Sequence, residues 1–308
     1  MIDAPPLFAY RAYGMPVLST FPLNGLVPAD PRSCVDPVSI QLGDVPAGLD
    51  RPLIEDSVRQ ITNAAYLRHF PGLLRLYVED GRRVILNPVP DCPRTALEAI
   101  ALGAGLGVAG FQRGYLPLHA SVVEVNGTGV AFTGPSGAGK STTAAHLGQR
   151  GFANVADDLC MVRLEAEEAR VGRGVSHLRL WDDAVAVLGW KDAPRSPLPE
   201  GEGAKAVYAV ATPPQVADFT LRRLYLLRAA DESSPPGLAR LEAGAALAAL
   251  LESLRLPPIA LTTGQAAAHF RRLVALCNTI DVYTFTRPWD LGQLPRWLDR
   301  LTAHLQEG

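Results

Sequence analysis

Lysine is nearly absent from this chain. It stands only at positions 140, 191 and 205, and arginine supplies the other basic residues. Against 31 acidic residues the formal net charge is -2, which gives no basic footprint for nucleic acid and no acidic tail. Cysteine is sparse as well. Cys34, Cys92, Cys160 and Cys277 are scattered without C-x-x-C spacing, so neither a disulfide framework nor a zinc site is indicated, and reduced structural thiols are expected. Long hydrophobic runs are missing too: the longest uncharged apolar stretch, Ala99 to Phe111, is too short and too glycine-rich to span a bilayer. The start, Met1-Ile2-Asp3-Ala4-Pro5-Pro6, lacks the charged and apolar regions of a signal peptide. The expectation is a cytoplasmic protein without a nucleic-acid or membrane partner.

What is present is a chain of 308 residues, 48% hydrophobic and 19% charged, enough to bury a substantial core in one large domain or two smaller ones. Residues 1–94 are turn-rich and proline-rich and predict a small β-rich domain. Within it, Leu74-Arg75-Leu76-Tyr77-Val78 and Arg83-Val84-Ile85-Leu86 flank Glu79-Asp80-Gly81 as a hairpin. Residues 95–308 predict a second, α/β domain. Its first element, Thr95 to Gly110, is small, apolar and helical in pattern. Then His119 to Val125, Asn126-Gly127 and the run from Gly129 to Thr133 form a second hairpin, since Asn-Gly between apolar alternations is a strong turn signal. Ala153 to Val162 reads as strand, and Pro194 to Gly203 as a mobile loop.

Residues 134–142 carry chemistry. Gly134, Pro135, Ser136, Gly137, Ala138, Gly139, Lys140, Ser141 and Thr142 complete a G-x-x-x-x-G-K-[ST] pattern between an apolar strand and a helix-like stretch. Glycines let backbone N–H groups approach a polyphosphate closely, and the helix that follows directs its positive dipole end at the anion. Lys140 supplies a compact positive charge where a planar guanidinium would fit poorly, and the Ser141 hydroxyl is a candidate Mg²⁺ ligand. The pair Asp157-Asp158 follows at a spacing where a neighbouring strand could end. Adjacent side chains on a regular strand face opposite ways, so both carboxylates reach one site only at a strand end or bend. If they do, their repulsion raises one pKa, which suits one metal ligand and one base. His119 opens the hairpin strand before the loop and matters if that hairpin lays it beside the phosphates. Asn278-Thr279-Ile280-Asp281 has the outline of a guanine-reading motif but lacks its lysine.

Taken together, Leu118-His119-Ala120-Ser121-Val122, Gly134 to Thr142 and Ala156-Asp157-Asp158 resemble the catalytic domain of the HPr kinase/phosphorylases, relatives of the ATP-dependent phosphoenolpyruvate carboxykinases. The resemblance covers residues 115 to 165 well and the remainder loosely. It implies a P-loop kinase fold of that type behind a smaller β-rich N-terminal domain, with ATP and Mg²⁺ as cofactors. By the same resemblance His119 lies beside the transferred phosphate, Asp157 is the base for an acceptor serine, and Asp158 with Ser141 holds Mg²⁺. Lys205 stands where relatives often carry a basic residue and could neutralise charge on the transferred group; Arg179 and Arg287 are weaker candidates of the same kind. The long glycine-containing signature of HPr kinases is not evident in Gly172 to Trp181. The whole chain instead resembles HPr-kinase-like proteins encoded with lasso-peptide genes, on its Arg179-Leu180-Trp181 segment and its Tyr283-Thr284-Phe285-Thr286-Arg287-Pro288 end. That implies a serine at the C-terminus of a precursor peptide as acceptor, a peptide or protein partner, and the homo-oligomers known in the wider family as an open possibility. An HPr(Ser) kinase/phosphorylase and a non-catalytic, nucleotide-dependent peptide-binding module remain the alternatives.

Overall fold

The computed structural model describes residues 7–191, 193, 195–197, 205–210, 218–255 and 263–307. Among these, two nine-stranded sheets and a three-stranded one are built. The first sheet occupies the chain up to Pro88. Its central hairpin pairs Leu74–Glu79 with Arg83–Pro88, turning through Asp80 and Gly81 at φ of 52° and 65°, the left-handed pair that matches strand twist. Burial alternates along Leu74–Glu79, so one face packs inward and the other meets solvent.

The second sheet is organised around three parallel neighbours: Thr128–Thr133, Asp218–Ala229 and Asp281–Arg287. Parallel pairing puts all three carboxyl ends on one side, the usual side for a ligand crevice in an α/β sheet. The hairpin that the sequence predicts is present: Ala120–Val125 pairs antiparallel with Thr128–Thr133 through Asn126 and Gly127, both at positive φ. Beyond it lies the short strand Asn154–Ala156. Side chains alternate between the two faces. Val123, Phe132, Tyr225 and Phe285 pack under the helices Lys140–Gln149, Asp182–Leu188 and Leu294–Gln306. Val122, Ala131, Leu224 and Val282 face the other way, into a cluster that continues to Tyr10, Leu76 and Val84 of the first sheet.

Between the sheets runs a single helix, Arg94–Gln112, which includes one π-helical stretch, Ala101–Gly105. It is longer than the apolar run read from the sequence. By length and composition it is the one helix among the described residues apolar enough to cross a membrane, and 67% of its most apolar window is buried inside the protein. Its buried residues Leu102, Leu106 and Val108 belong to the core cluster that both sheets share.

Two expectations change. Ala153 to Val162 is not one strand: Asn154–Ala156 and Cys160–Glu165 are separated by a bend at Asp157-Asp158, with Asp158 at φ 65°. In the predicted loop from Pro194 to Gly203, Arg195–Pro197 pairs with the strand Lys205–Ala209, while Pro194 and residues 198–203 lie outside the described residues. The backbone of Lys205 opens that strand opposite Trp181; its side chain is also outside the described residues.

Besides the shared core, one turn of the first sheet fits closely against the second. Tyr13, buried and at φ 54°, donates its backbone N–H to the Arg173 carbonyl at 2.6 Å. A Cβ on Gly172 would sit 2.0 Å from the Gly14 nitrogen, backbone against backbone, so nothing larger than glycine fits without moving the turn. Gly172→Ala is therefore expected to destabilise the protein by about 2–3 kcal/mol, the upper range for overpacking; unchanged stability in chemical denaturation would contradict this docking.

Burial, with neighbouring arginines, holds three histidines near neutral. His146, His177 and His269 each have a pKa lowered from 6.5 to about 4, burial being the largest cause. The unfolded chain takes up these protons near pH 6.5 and the folded chain only near 4. Between those values the unfolded state binds more protons, so stability falls as pH drops. A melting temperature clearly lower at pH 5 than at pH 7.5 is expected; an equal or higher value at pH 5 would contradict it.

Candidate active site

The strand Thr128–Thr133 ends directly in the glycine-rich loop, and the helix Lys140–Gln149 begins directly after it. Gly134, Gly137 and Gly139 have φ of 144°, 84° and 87°, in the region that side chains avoid. Gly139 has a second reason to be glycine: a Cβ there would lie 2.6 Å from the Arg287 guanidinium. Arg287 is 4% exposed, and its Nη2 donates to the Ala138 carbonyl at 3.1 Å, so it braces the loop from the end of the strand Asp281–Arg287. Lys140 is 7% exposed, and its Nζ donates to the carbonyls of Gly134 and Pro135 at 2.9 and 3.1 Å, folded back over the loop.

The aspartate pair sits opposite. Because the chain bends at Asp158, the two carboxylates go to different places. Asp157 is 3% exposed and collects three donors: the Ser121 hydroxyl at 2.6 Å, the Ser141 hydroxyl at 2.9 Å and the Arg179 backbone N–H at 3.0 Å. Burial pushes its pKa up, and the Asp158 charge adds to that, against the hydrogen bonds from Ser121, Arg179 and Ser141. For Asp158 burial also acts upward. The hydrogen bond from His119 and the charges of Arg255 and Arg179 outweigh it and hold the carboxyl well below the usual carboxylate range. Arg255 Nη2 lies 3.0 Å and Arg179 Nη1 3.5 Å from its Oδ2. The two neighbours are thus driven apart in pKa, as expected where two carboxylates divide their roles.

His119 stands between Leu116–Leu118 and Ala120–Val125. Its Nδ1 is 3.0 Å from the Asp158 carbonyl and 3.2 Å from the Asp158 carboxylate. Both partners accept, so the proton belongs on Nδ1, and Nε2 is left for another group. The sequence therefore brings His119, Lys140, Ser141, Asp157 and Asp158 together, with one difference. The hydroxyl read as a metal ligand with Asp158 is hydrogen-bonded to Asp157, because the left-handed backbone at Asp158 turns its carboxylate toward His119 and the arginines.

Four contributors escaped sequence reading. Ser121 was findable: it lies two residues beyond His119 in the same segment, Leu118 to Val122. Arg255 was not. It follows the helix Ala243–Glu252 and is carried in by the Leu118–Leu254 bridge, by His119 N–H to the Ser253 carbonyl, and by its own N–H to the Pro117 carbonyl. Trp181 and Trp289 also line the site; the sequence marked the segments around them but gave neither ring a role. A cavity of about 790 Å³ opens over Lys140, Ser141, Asp158, Arg179, Arg255 and Arg287. A second, of about 490 Å³, shares His119 and Arg255 with it and extends past Pro135 to Arg228 and Glu252.

Among the described residues no three His, Cys, Asp or Glu side chains gather into a metal-binding set. The site instead offers hard oxygen donors, the Ser141 hydroxyl and the Asp157 carboxylate. Two protein oxygens beside a phosphate cradle fit Mg²⁺, which keeps waters and takes phosphate oxygens for the rest of its octahedron.

Residues 115–186, which hold the loop, His119 and both aspartates, match the family model of the HPr Serine kinase C-terminal domain. The HPr kinase/phosphorylase of Halalkalibacterium halodurans is 45% identical over 64 residues, 20% of this chain and 21% of that protein. That of Treponema pallidum is 45% identical over 60 residues (20% and 19%), and that of Geobacillus kaustophilus 49% over 55 residues (18% of each). Each of these three matches covers only about a fifth of the relative's length. Among solved structures, the HPr(Ser) kinase/phosphatase from Coxiella burnetii aligns with 62% of this chain and 99% of its own, at 15% identity and a TM-score of 0.31.

Proposed function

We propose that this chain is an ATP- and Mg²⁺-dependent serine kinase of the HPr-kinase type, acting on a peptide or protein. The observation that carries the reading is that Lys140 and Ser141 of the loop, His119, and the low-pKa Asp158 with Arg179 and Arg255 all line one cleft. Bound Mg²⁺ would neutralise phosphate charge and gather the oxygens. The loop amides and Lys140 would hold the polyphosphate, and Ser141 with Asp157 would hold the metal. Asp158, reached from the cleft and fixed by His119, orients the acceptor hydroxyl and takes its proton. This exchanges the roles that the resemblance assigned to the two aspartates, for a geometric reason: Asp157 is enclosed by three donors while Asp158 lines the cavity. A low pKa does not disqualify Asp158. Phosphoryl transfer through a loose transition state asks mainly for positioning and charge neutralisation, which Arg179 and Arg255 also supply.

The acceptor we favour is the C-terminal serine of a lasso-peptide precursor, on the resemblance of the Arg179-Leu180-Trp181 and Tyr283-to-Pro288 segments. HPr itself is the second reading, favoured because the curated relatives sharing this segment are named HPr kinase/phosphorylase. Residues 1–94 would serve partner recognition and residues 95–308 catalysis, with assembly into a homo-oligomer as in the wider family. The test is incubation with Mg-ATP and each acceptor, read by mass spectrometry. Phosphate added to a serine is expected, with a loss of about 100-fold or more in rate for Lys140→Ala. Nucleotide binding without transfer to any acceptor would leave a binding module, and full transfer by folded Lys140→Ala would overturn the reading.

A further inference from the structure

The cleft extends past the groups that handle phosphate. On the side of the loop strand away from His119 and Asp158 it is walled by Arg287, Trp289, Leu291 and Leu294. This wall begins at the carboxyl end of Asp281–Arg287, which lies parallel to Thr128–Thr133 with Asp218–Ala229 between them. The strands Ala120–Val125 and Asn154–Ala156, which lead to His119 and the aspartates, flank the loop strand on its opposite edge. A polyphosphate laid along the loop with its reacting end at Asp158 therefore has its other end directed toward Trp289.

The chemistry of that wall is aromatic. Trp289 is 49% exposed, an unusual position for the largest apolar side chain, and Leu291 beside it is also exposed. The Arg287 guanidinium lies 5.0 Å from the Trp289 ring centroid, while the same guanidinium donates to the Ala138 carbonyl of the loop. Its Nε is buried with no hydrogen-bond partner. One buried arginine thus ties the ring to the phosphate cradle, fixing the distance between them. A half-exposed indole held at one end of a polyphosphate site has a natural partner in the flat π-face of a nucleobase.

We propose that Trp289 is the platform on which the base of the bound nucleoside triphosphate stacks, with Arg287 as the strut that sets it relative to the loop. This rests on the nucleotide-binding reading above and adds where the base lies. The test is calorimetric titration of Mg-ATP and of Mg-tripolyphosphate, which lacks the base, into wild type, Trp289→Ala and Trp289→Phe. Expected is a loss of about tenfold or more in ATP affinity for Trp289→Ala, the scale of base–aromatic stacking. Tripolyphosphate affinity should be unchanged in that variant, and Trp289→Phe should recover most of the loss. ATP affinity unchanged in Trp289→Ala would overturn the platform. Equal losses for ATP and tripolyphosphate would also overturn it, since the ring would then only support the loop. Wild type that binds tripolyphosphate but gains nothing from the base sinks this inference alone, whereas wild type that binds neither ligand sinks the nucleotide reading with it.

Discussion

The site depends on one buried carboxylate. Asp157 is almost wholly buried at the cleft floor beside Ser141, and it draws donors from three separate pieces of chain: Ser121 from the hairpin strand, Ser141 from the helix after the loop, and the Arg179 backbone from the three-stranded sheet. An unpaired carboxylate at that depth would be strongly unfavourable, so each donor is held in place by the others' need to satisfy it. The consequence is geometric. The glycine-rich loop, the strand that leads from His119 and the bend that presents Asp158 are fixed against one another before any ligand arrives.

Asp158 shows the opposite arrangement. A non-glycine residue at φ 65° is strained, and such strain persists only where the surroundings over-determine it. Here Arg255, Arg179 and His119 do so, and they keep the carboxylate ionised at the cleft wall. Two adjacent aspartates therefore have different surroundings because the backbone between them turns, with one folded inward onto a hydroxyl and the other outward onto cations. The loop has its own brace in Arg287, whose guanidinium occupies the space a side chain at residue 139 would need.

The local parts of this design were legible in the sequence. The loop, the Asn-Gly hairpin and the aspartate pair are runs of neighbouring residues whose spacing has a physical meaning, and each was found where the spacing put it. What depends on distant pairing was not. Arg255 is 97 residues from the carboxylate it meets, and the Leu118–Leu254 bridge with its flanking backbone hydrogen bonds brings it there. The hydrogen bond between Ser141 and Asp157 was not legible for a related reason: which of two adjacent carboxylates faces a hydroxyl is decided by one left-handed φ, and nothing in the residue pattern signals it. The close fit of Gly172 against the Tyr13-Gly14 turn was likewise invisible, since a glycine that admits a distant backbone looks like any other glycine in a row of letters.

The central proposal is that Asp157 would serve the loop and a bound Mg²⁺ while Asp158 would face the acceptor. The most direct measurement is ATP affinity across a Mg²⁺ titration for Asp157→Asn and Asp158→Asn. Asp157→Asn should lose the gain in affinity that Mg²⁺ confers. Asp158→Asn should keep that gain and lose transfer to serine. If Asp158→Asn abolished the Mg²⁺ dependence while Asp157→Asn preserved it, the division of labour described above would be wrong.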